Sequence, residues 1–423
     1  MRILLLTMYF APDPAANANI VTALAEELVA LGHEVHVVAS FPHYEHNEIL
    51  PEYQGKLIEH TQEGPFDIRR VYVHTGYDKK SVFGRLLQYA SFGILSTYAA
   101  WRAPTYDIIL TPSPPLTIGM TAYLASRLHR TPYIYNVQDI WPEVAIRLGL
   151  MTNQKAVRFF EWMERFVYRK AAAVSVISQG FFNNLRGKGV PSEKLAIIPN
   201  FVDVDFITPQ PKVNHFSKAH GLDEKFVLLY AGNVGYSQSL DTVLDAAATL
   251  RDHPDIVFLI VGNGTAKEGL EQRAADLQLD NVRFFPFQPK EDLPAMMATA
   301  DVSLVPLKSS ISANSVPSKV LTIMASGRPV LASIDADSDV TLLLNEAKCG
   351  LAVTPDDPTA LSEAILQLYA EPDRRGEMGR NGREYVETHF TPKAIAAQYN
   401  ELLYRCVGNR SKTAAKPQLK HTA

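Results

Sequence analysis

Cysteine is scarce in this sequence, since only Cys349 and Cys406 occur among its 423 residues. Two cysteines cannot build a disulfide framework or a cysteine-rich metal cluster, so a reducing cytoplasm fits best. The sequence also lacks a surplus of basic residues, because its formal net charge is -4. A dedicated nucleic-acid-binding protein normally carries such a surplus, so nucleic acid is not an expected partner.

Long apolar runs are also missing. The longest apolar stretch, residues 86–101, is shorter than the ~20 residues that a membrane-spanning helix needs, and it contains Gln88 and Ser91. The apolar residues 1–7 are too few for a signal peptide and no cleavage site follows them, so a first buried strand is expected there. The sequence therefore predicts a globular protein without a transmembrane helix.

What the sequence has is a regular alternation of strand and helix patterns. In the first half, short apolar runs predict strands at residues 2–6, 34–39, 107–110, 133–136 and 174–177. The alternation restarts further on, with strands predicted at residues 226–230, 256–261, 282–285, 302–306 and 330–333. Such alternation indicates parallel sheets covered by helices on both faces. The predicted fold class is α/β, with two doubly wound, Rossmann-like domains facing a central cleft.

The alternation breaks once, at residues 198–203, and Pro209 and Pro211 follow. We place the domain boundary there, which gives a first domain over 1–203 and a second over 204–386. A helix over 387–407 is expected to cross back to the first domain. Residues 408–423 are polar and basic without periodicity, which predicts a disordered tail.

One short segment, residues 314–330, is the most informative part of the sequence. Ser315 and Pro317 favour a helix start, and Gly327 favours a helix end, just before a buried strand. A helix start offers unpaired N–H groups and a partial positive charge. Lys319 would oppose the helix dipole there, which suggests that a phosphate shares the site. The alternative is an ordinary solvated lysine.

Three other loops follow predicted strands. Gly232, Asn233 and Gly235 suit a backbone nest for a phosphate, although a short glycine pair is weak by itself. The loop over 9–17, which ends at Asn17, is longer than a usual strand–helix connection and has small residues that a ligand could approach.

The third loop, residues 138–143, places Asp139, Trp141 and Glu143 after a predicted strand. Two carboxylates and a tryptophan at a strand end favour acceptor binding or general-base chemistry. The alternative is structural: Asp139 would cap the next helix and Trp141 would pack against the core.

Several of these segments together resemble family 4 glycosyltransferases of the GT-B fold. Residues 316–319 with 325–330 resemble that family's donor-site element, 198–203 its interdomain P-N-G-V-D turn, and 230–235 its first C-terminal loop. Val261-Gly262-Asn263-Gly264 is similar to its G-x-G strand end. Residues 138–143 resemble the D-x-W-P-E of a bacterial branch, which includes the N-acetylfucosamine transferases and related enzymes of O-antigen, capsule and exopolysaccharide assembly. The resemblance spans about residues 2–405.

The resemblance implies a retaining enzyme without a metal or other cofactor. It would move a sugar from a nucleotide diphosphate sugar, expected to be UDP-linked, to a glycan or polyprenyl-diphosphate-linked acceptor. The first domain would bind the acceptor and the second the nucleotide sugar. The implied catalytic residues are Asp139 and Lys319; donor-binding residues are Gly232, Asn233, Gly235, Gly262, Asn314, Ser318, Lys319 and Thr322; acceptor residues are Asn17, Asp139, Trp141 and Glu143.

The sequence departs from the family's pattern in two places. Asn314 and Thr322 occupy positions where the family usually has two glutamates, and Asn233 and Gln238 align where it often has arginine and lysine. Lys319 would therefore supply much of the positive charge at the phosphates. Two alternatives stay open: a catalytically silent nucleotide-binding subunit and, with less support, a nucleotide-sugar 2-epimerase.

Two segments also suggest contact with a membrane surface. Residues 81–101 are rich in apolar and aromatic side chains, and residues 155–170 interleave basic and aromatic ones. A basic helix with aromatic residues can lie on a membrane surface. The alternative is that each helix packs its apolar side on the first sheet. We expect a cytoplasmic protein with peripheral contact at the inner membrane surface.

Overall fold

The computed structural model describes residues 1–44, 47–77, 81–147, 151–309 and 318–414. The chain folds as two compact units. Unit 1 comprises Met1–Pro199 and Pro392–Ala423, and unit 2 comprises Asn200–Thr391.

The unit boundaries lie a few residues away from the predicted positions 203 and 387. Val202 N–H donates a hydrogen bond to the carbonyl oxygen of Phe390 at 2.9 Å. The Arg383 guanidinium donates to the carbonyl oxygens of Val204 at 2.9 Å and Ile207 at 2.6 Å. These bonds tie the segment after the break in the alternation to unit 2.

Unit 1 is built on an eight-stranded sheet with the order β3-β4-β2-β1-β5-β6-β7-β8. All neighbouring pairs are parallel except β3 and β4, which form an antiparallel hairpin. Because β1 and its neighbours are covered on both faces, they are almost continuously apolar. The strands are β1 (Arg2–Leu6), β2 (Glu34–Ser40), β3 (Ile58–Glu63), β4 (Phe66–Val71), β5 (Ile108–Pro112), β6 (Tyr133–Val137), β7 (Ala173–Val176) and β8 (Leu195–Ile197).

Seven α-helices of unit 1 are described. They are α1 (Ala16–Ala30), α2 (Val82–Arg102), α3 (Ile118–His129), α4 (Glu143–Arg147), α5 (Gln154–Lys170), α6 (Gln179–Gly187) and the C-terminal α15 (Pro392–Ala414). The last helix returns to unit 1, where His33 Nε2 lies 2.8 Å from Asn400 Oδ1. It runs on to Ala414, so the tail predicted from residue 408 is helical up to that point. Residues 415–423 lie outside the described residues.

Unit 2 contains a fully parallel six-stranded sheet with the order β11-β10-β9-β12-β13-β14. Its strands are β9 (Phe226–Ala231), β10 (Ile256–Val261), β11 (Val282–Phe285), β12 (Val302–Pro306), β13 (Val330–Ser333) and β14 (Gly350–Val353). Its described helices are α7 (His215–Ala219), α8 (Leu240–Thr249), α9 (Lys267–Asp276), α10 (Leu293–Thr299), α11 (Lys319–Ala325), α12 (Asp339–Ala347), α13 (Pro358–Ala370) and α14 (Pro372–His389).

The two sheets confirm the predicted class of two doubly wound α/β domains. The prediction missed the β3–β4 hairpin and the edge strands β8 and β14. The hairpin strand β3 is partly exposed and mixes polar with apolar residues, since it reads Ile-Glu-His-Thr-Gln-Glu. The strands β8 (Leu-Ala-Ile) and β14 (Gly-Leu-Ala-Val) are apolar but only three and four residues long, which gives a weak pattern. No helix within the described ranges combines the length and the apolar character that crossing a membrane requires.

Both sheets have a point where the strand order reverses. In unit 1 this point is at β1, between β2 and β5, and in unit 2 it is at β9, between β10 and β12. Ligands of doubly wound sheets bind outside the carboxyl ends of the strands at such a point. The carboxyl ends of the strands around β1 in unit 1 and around β9 in unit 2 are therefore the expected positions of a ligand site.

Candidate functional site

The ammonium group of Lys319 lies at the carboxyl end of β9. Lys319 is the first residue of α11, and its Nζ donates hydrogen bonds to Gln238 Oε1 at 2.6 Å and to the Tyr230 hydroxyl at 3.1 Å. Nζ also lies 4.2 Å from the centroid of the Tyr230 ring. Tyr230 is fully buried in β9, and its hydroxyl donates to the carbonyl oxygen of Asn233. These contacts hold the cation in one place.

The surroundings of Lys319 lack a compensating negative charge. Within the described residues, no carboxylate forms an ion pair with Nζ; its partners are an amide oxygen, a hydroxyl and a ring face. Burial lowers the pKa of Lys319 to about 7, because desolvation disfavours the charged form. A bound anion would reverse this effect, since an opposite charge close by favours the protonated lysine. The site is therefore poised for an anion.

Helix α11 also positions Thr322. The helix buries Val320, Ile323 and Met324, so Lys319 and Thr322, three residues apart, lie on its less buried side. Ser318 is exposed just before the helix and its side chain makes no capping hydrogen bond. Asn314 and the predicted helix start at Ser315 and Pro317 lie outside the described residues.

The glycines that directly follow β9 and β10 make backbone contacts between the two loops. Gly232 N–H donates to the carbonyl oxygen of Val261 at 2.9 Å, and Gly262 N–H donates to that of Phe285 at 3.0 Å. These two amides are therefore already used by the backbone. A Cβ at residue 262 would lie 1.8 Å from the carbonyl oxygen of Gly232, so glycine is needed for the two loops to touch.

Gly232 in addition leaves room beside the cation. Its φ is +148°, which side chains rarely allow, and a Cβ there would lie 3.6 Å from Lys319 Nζ. Asn233, the next residue, is exposed on the same loop, and Gly235 is half-buried. The loop thus brings small and polar residues next to the ammonium group.

Tyr230 and Gln238 are site residues that the sequence prediction did not include. Gln238 aligns with a position where the family often has a cation, but its amide oxygen accepts the shorter of the two hydrogen bonds from Lys319. Tyr230 looked like an ordinary strand residue. Its place at the carboxyl end of β9 was the one available signal.

In unit 1, the loops after β1 and β2 are joined by a buried pair, Asp13 and His43. Asp13 accepts hydrogen bonds from the backbone N–H groups of His43 at 3.1 Å and Tyr44 at 3.3 Å. His43 Nδ1 lies 2.8 Å from the carbonyl oxygen of Phe41, which assigns the ring proton to Nδ1. Burial lowers the pKa of His43, so the ring is neutral. The sequence prediction missed this pair.

The other ring nitrogen of His43, Nε2, is buried without a hydrogen-bond partner among the described residues. The same is true of Asn17 Nδ2 in the first turn of α1. Tyr9 stacks on the His43 ring with a centroid distance of 5.4 Å. Unsatisfied buried polar atoms are uncommon, so each of these two groups is a candidate for contact with a ligand.

Within the motif over 138–143, Asp139 and Trp141 have different surroundings. Asp139 is exposed after β6 and, within the described residues, makes no hydrogen bond or ion pair. Neighbouring protein atoms nevertheless remove part of the water around its carboxyl group, and this desolvation raises the pKa of Asp139. It does not cap a helix directly, because α4 begins only at Glu143. Trp141 is half-buried and packs against the core of unit 1, as the structural alternative expected.

Glu143 is held in an ion-pair network of unit 1. Its carboxylate lies 2.9 Å from Lys188 Nζ and accepts hydrogen bonds from Asn184 Nδ2. Lys188 is also 2.6 Å from the buried carboxylate of Glu164. These contacts give Glu143 a role in joining α4, α5 and α6, whereas Asp139 is left with an unengaged carboxylate.

Comparison with known proteins identifies both halves of the chain. A family described as "Glycosyl transferase 4-like domain" matches residues 18–200, and one described as "Glycosyl transferases group 1" matches residues 213–385. The putative colanic acid biosynthesis glycosyl transferase WcaI of Escherichia coli is 28% identical over 409 residues, covering 94% of this chain and 98% of WcaI. The probable glycosyltransferase WbjE of Pseudomonas aeruginosa is 25% identical, covering 63% of this chain and 67% of WbjE.

Solved structures share the fold at low sequence identity. Sucrose-phosphate synthase from Thermosynechococcus elongatus has a TM-score of 0.72 at 21% identity, covering 98% of this chain and 100% of that one. Anabaena Alr3699/HepE in complex with UDP has a TM-score of 0.69 at 18% identity, covering 96% and 100%.

We predict that Lys319→Met changes how stability depends on pH. The unfolded chain keeps the lysine proton up to a pKa of about 10.4, whereas the folded chain releases it near pH 7. Between these values the unfolded state binds more protons, so the free energy of unfolding rises with pH, by at most ~1.4 kcal/mol per pH unit. Lys319→Met should lose this rise and exceed the wild-type stability near pH 6.5.

Urea denaturation at about pH 6.5, pH 8 and pH 9.5 measures this effect as the difference between wild type and variant. Lys218→Met, at an exposed position of α7 in the same unit, is the matched control and should keep the wild-type slope. Equal slopes for wild type and Lys319→Met would contradict the shifted pKa.

Proposed function

This chain belongs to the family 4 glycosyltransferases of the GT-B fold, and on that basis we propose that it is a retaining enzyme that uses a UDP-linked sugar. The acceptor is a glycan or a polyprenyl-diphosphate-linked saccharide in bacterial surface-polysaccharide assembly, at the cytoplasmic face of the membrane. The observation that carries the proposal is the desolvated ammonium of Lys319, which has no carboxylate partner among the residues that the structure describes.

The diphosphate of the donor would supply the negative charge that the described partners of Lys319 do not provide. When the bond between the anomeric carbon and the phosphate oxygen breaks, that oxygen gains negative charge, which a fixed cation stabilises. Tyr230 and Gln238 hold Nζ in place before the donor binds, so little reorganisation is needed at the moment of reaction. Ser318 and Thr322 offer hydroxyl groups for the phosphates and a sugar hydroxyl. No metal is needed in this scheme, because the lysine provides the positive charge.

UDP is the nucleotide that the structural neighbours favour. HepE, which shares the fold over nearly the whole chain, has been solved with UDP and with UDP-glucose. WcaI, similar over most of both chains, is named for colanic acid biosynthesis, which supports a polysaccharide product. Relatives named as GDP-mannose-dependent transferases match about half to three quarters of this chain, so GDP sugars belong in the test.

On the acceptor side, Asp139 is the group that we assign to the proton of the attacking hydroxyl. Its carboxylate is exposed and unengaged within the described chain, and its raised pKa makes it a better base than an ordinary aspartate. The leaving phosphate is the other group that could take this proton. Retention follows when the acceptor attacks from the side on which the diphosphate leaves.

The experiment that tests the proposal is a donor panel. The purified protein is incubated with UDP- and GDP-linked sugars, with and without a lipid-linked acceptor, and nucleotide release and product anomeric configuration are measured. We expect acceptor-dependent release of UDP and a retained configuration. Lys319→Ala should lose turnover by about two orders of magnitude or more, while Lys218→Ala keeps it. An isomerised donor would indicate an epimerase, and binding without turnover would indicate a silent subunit.

Two variants, each replacing an acidic residue of unit 1 by its amide, separate a catalytic role from a structural one. Asp139→Asn should lower kcat by roughly 10²–10⁴-fold while leaving UDP binding unchanged, because it removes a base but no donor contact. In the wild type, activity should rise with pH through the raised pKa of Asp139. Glu143→Gln should keep most of the turnover but lower the melting temperature, since it weakens the ion pair with Lys188. Full activity of Asp139→Asn would assign the proton to the leaving phosphate instead.

A further inference from the structure

One helical layer of unit 1 exposes an unusual amount of apolar surface. Helices α2, α3 and α5 pack side by side: the rings of Tyr123 on α3 and Phe166 on α5 meet edge-on at 4.9 Å, and His129 Nε2 at the end of α3 lies 3.1 Å from the carbonyl oxygen of Trp101 on α2. Their exposed side is called the apolar–basic face below. It carries ten of the 21 large apolar side chains that are exposed in the described chain: six on α2, two on α3 and two on α5.

Helix α2 shows the excess most clearly, because it is apolar on both sides. Its inner side buries Phe92, Ala99 and Ala100 in the core of unit 1. On its outer side Phe83 is 69% exposed and Ile94 is 71% exposed. A helix that is apolar all round normally has apolar neighbours all round. Within the described chain nothing covers the outer side.

Helix α5 adds an aromatic ladder to the same face. The rings of Phe159 and Trp162 stack with a centroid distance of 6.0 Å, and those of Trp162 and Phe166 with one of 5.5 Å. Phe159 and Trp162 are about half exposed. Aromatic side chains with one wet and one apolar end are enriched where proteins meet the membrane–water interface.

These three helices carry a large excess of positively charged over negatively charged residues. Their three ranges contain eight lysine and arginine residues, against two acidic residues, in a chain whose net charge is -4. Of the two acids, Glu164 is buried against Lys188 and Glu161 lies 4.0 Å from Arg165. Helices α2 and α3 contain no acidic residue at all.

Basic residues lie at both ends of the layer, and four of the eight mark the C-terminal ends of the helices. Arg102 ends α2, Arg127 lies in the last turn of α3, and Arg169 and Lys170 end α5. In a parallel sheet the connecting helices run opposite to the strands, so these three helix ends lie at the same edge. The face therefore combines an apolar centre with a cationic rim.

We propose that the apolar–basic face docks on an anionic lipid bilayer, with the three helices lying along its surface. Exposed apolar and aromatic side chains would enter the headgroup region, to a depth of ~5–10 Å. Each basic side chain near such a surface adds electrostatic attraction to the anionic lipids. A second copy of this chain is a poorer occupant, because self-pairing would bring like charges together. The proposal is independent of the transfer reaction, so either can fail alone.

Vesicle co-sedimentation tests the proposal on the full chain. The probes are phosphatidylglycerol–phosphatidylcholine vesicles and vesicles of phosphatidylcholine alone, at low and high salt. Wild type should bind the anionic vesicles, and high salt should weaken the binding. Phe83→Ser with Ile94→Ser should reduce binding at least ten-fold, because both side chains would leave water on docking. The double variant Phe287→Ser with Leu342→Ser, at similarly exposed positions of unit 2, is the matched control and should bind like wild type.

A second variant checks the electrostatic part. Arg102→Gln with Arg169→Gln should weaken binding to anionic vesicles and reduce its salt dependence, while circular dichroism stays that of the wild type. Three outcomes would overturn the proposal: no binding of wild type to anionic vesicles, equal binding by both serine double variants, or a wild-type dimer that Phe83→Ser with Ile94→Ser dissociates. The last outcome would assign the face to a second copy.

Discussion

The structure of unit 2 at the carboxyl end of β9 depends on one constraint, a lysine ammonium that is desolvated and has no negative partner in the part of the chain that is described. Lys319 Nζ is held by the Gln238 amide oxygen and by the hydroxyl and ring of Tyr230. Neutral groups of this kind cannot replace a carboxylate, so the pKa of Lys319 falls to about 7. Gly232 leaves open the space beside the ammonium group. An anion in that space would restore the charge that burial removes.

This arrangement accounts for the departures from the family pattern. The family often has cations in the loop after the first C-terminal strand, whereas that loop here supplies Gln238, an acceptor, and the cation comes from α11. In the proposed reaction the lysine is only partly charged before the donor arrives and becomes fully charged beside the diphosphate. Lys319 then interacts most strongly with the diphosphate when its oxygen gains negative charge, which favours the transition state over the bound substrate.

Much of the fold could be predicted because buried parallel strands are continuous apolar runs. Strands β1, β10 and β12 have the predicted bounds, whereas the exposed hairpin strand β3 was missed. Of the site, Lys319 could be predicted from its place before a buried strand. Tyr230, Gln238 and the Asp13–His43 pair could not, because their roles depend on contacts between loops far apart in sequence. The ion pair of Glu143 could not be predicted either, since its partner Lys188 lies far from the motif in sequence.

The most direct test of the central claim is to count the protons taken up when UDP binds. Isothermal titration calorimetry at about pH 8, in buffers of different ionisation enthalpy, gives this number. UDP is already fully ionised there, since a terminal phosphate has its second pKa at ~6. With a free-site pKa of about 7, wild type should take up ~0.9 proton at pH 8, and Lys319→Met should take up none. No uptake by wild type, or the same uptake by both proteins, would contradict the account.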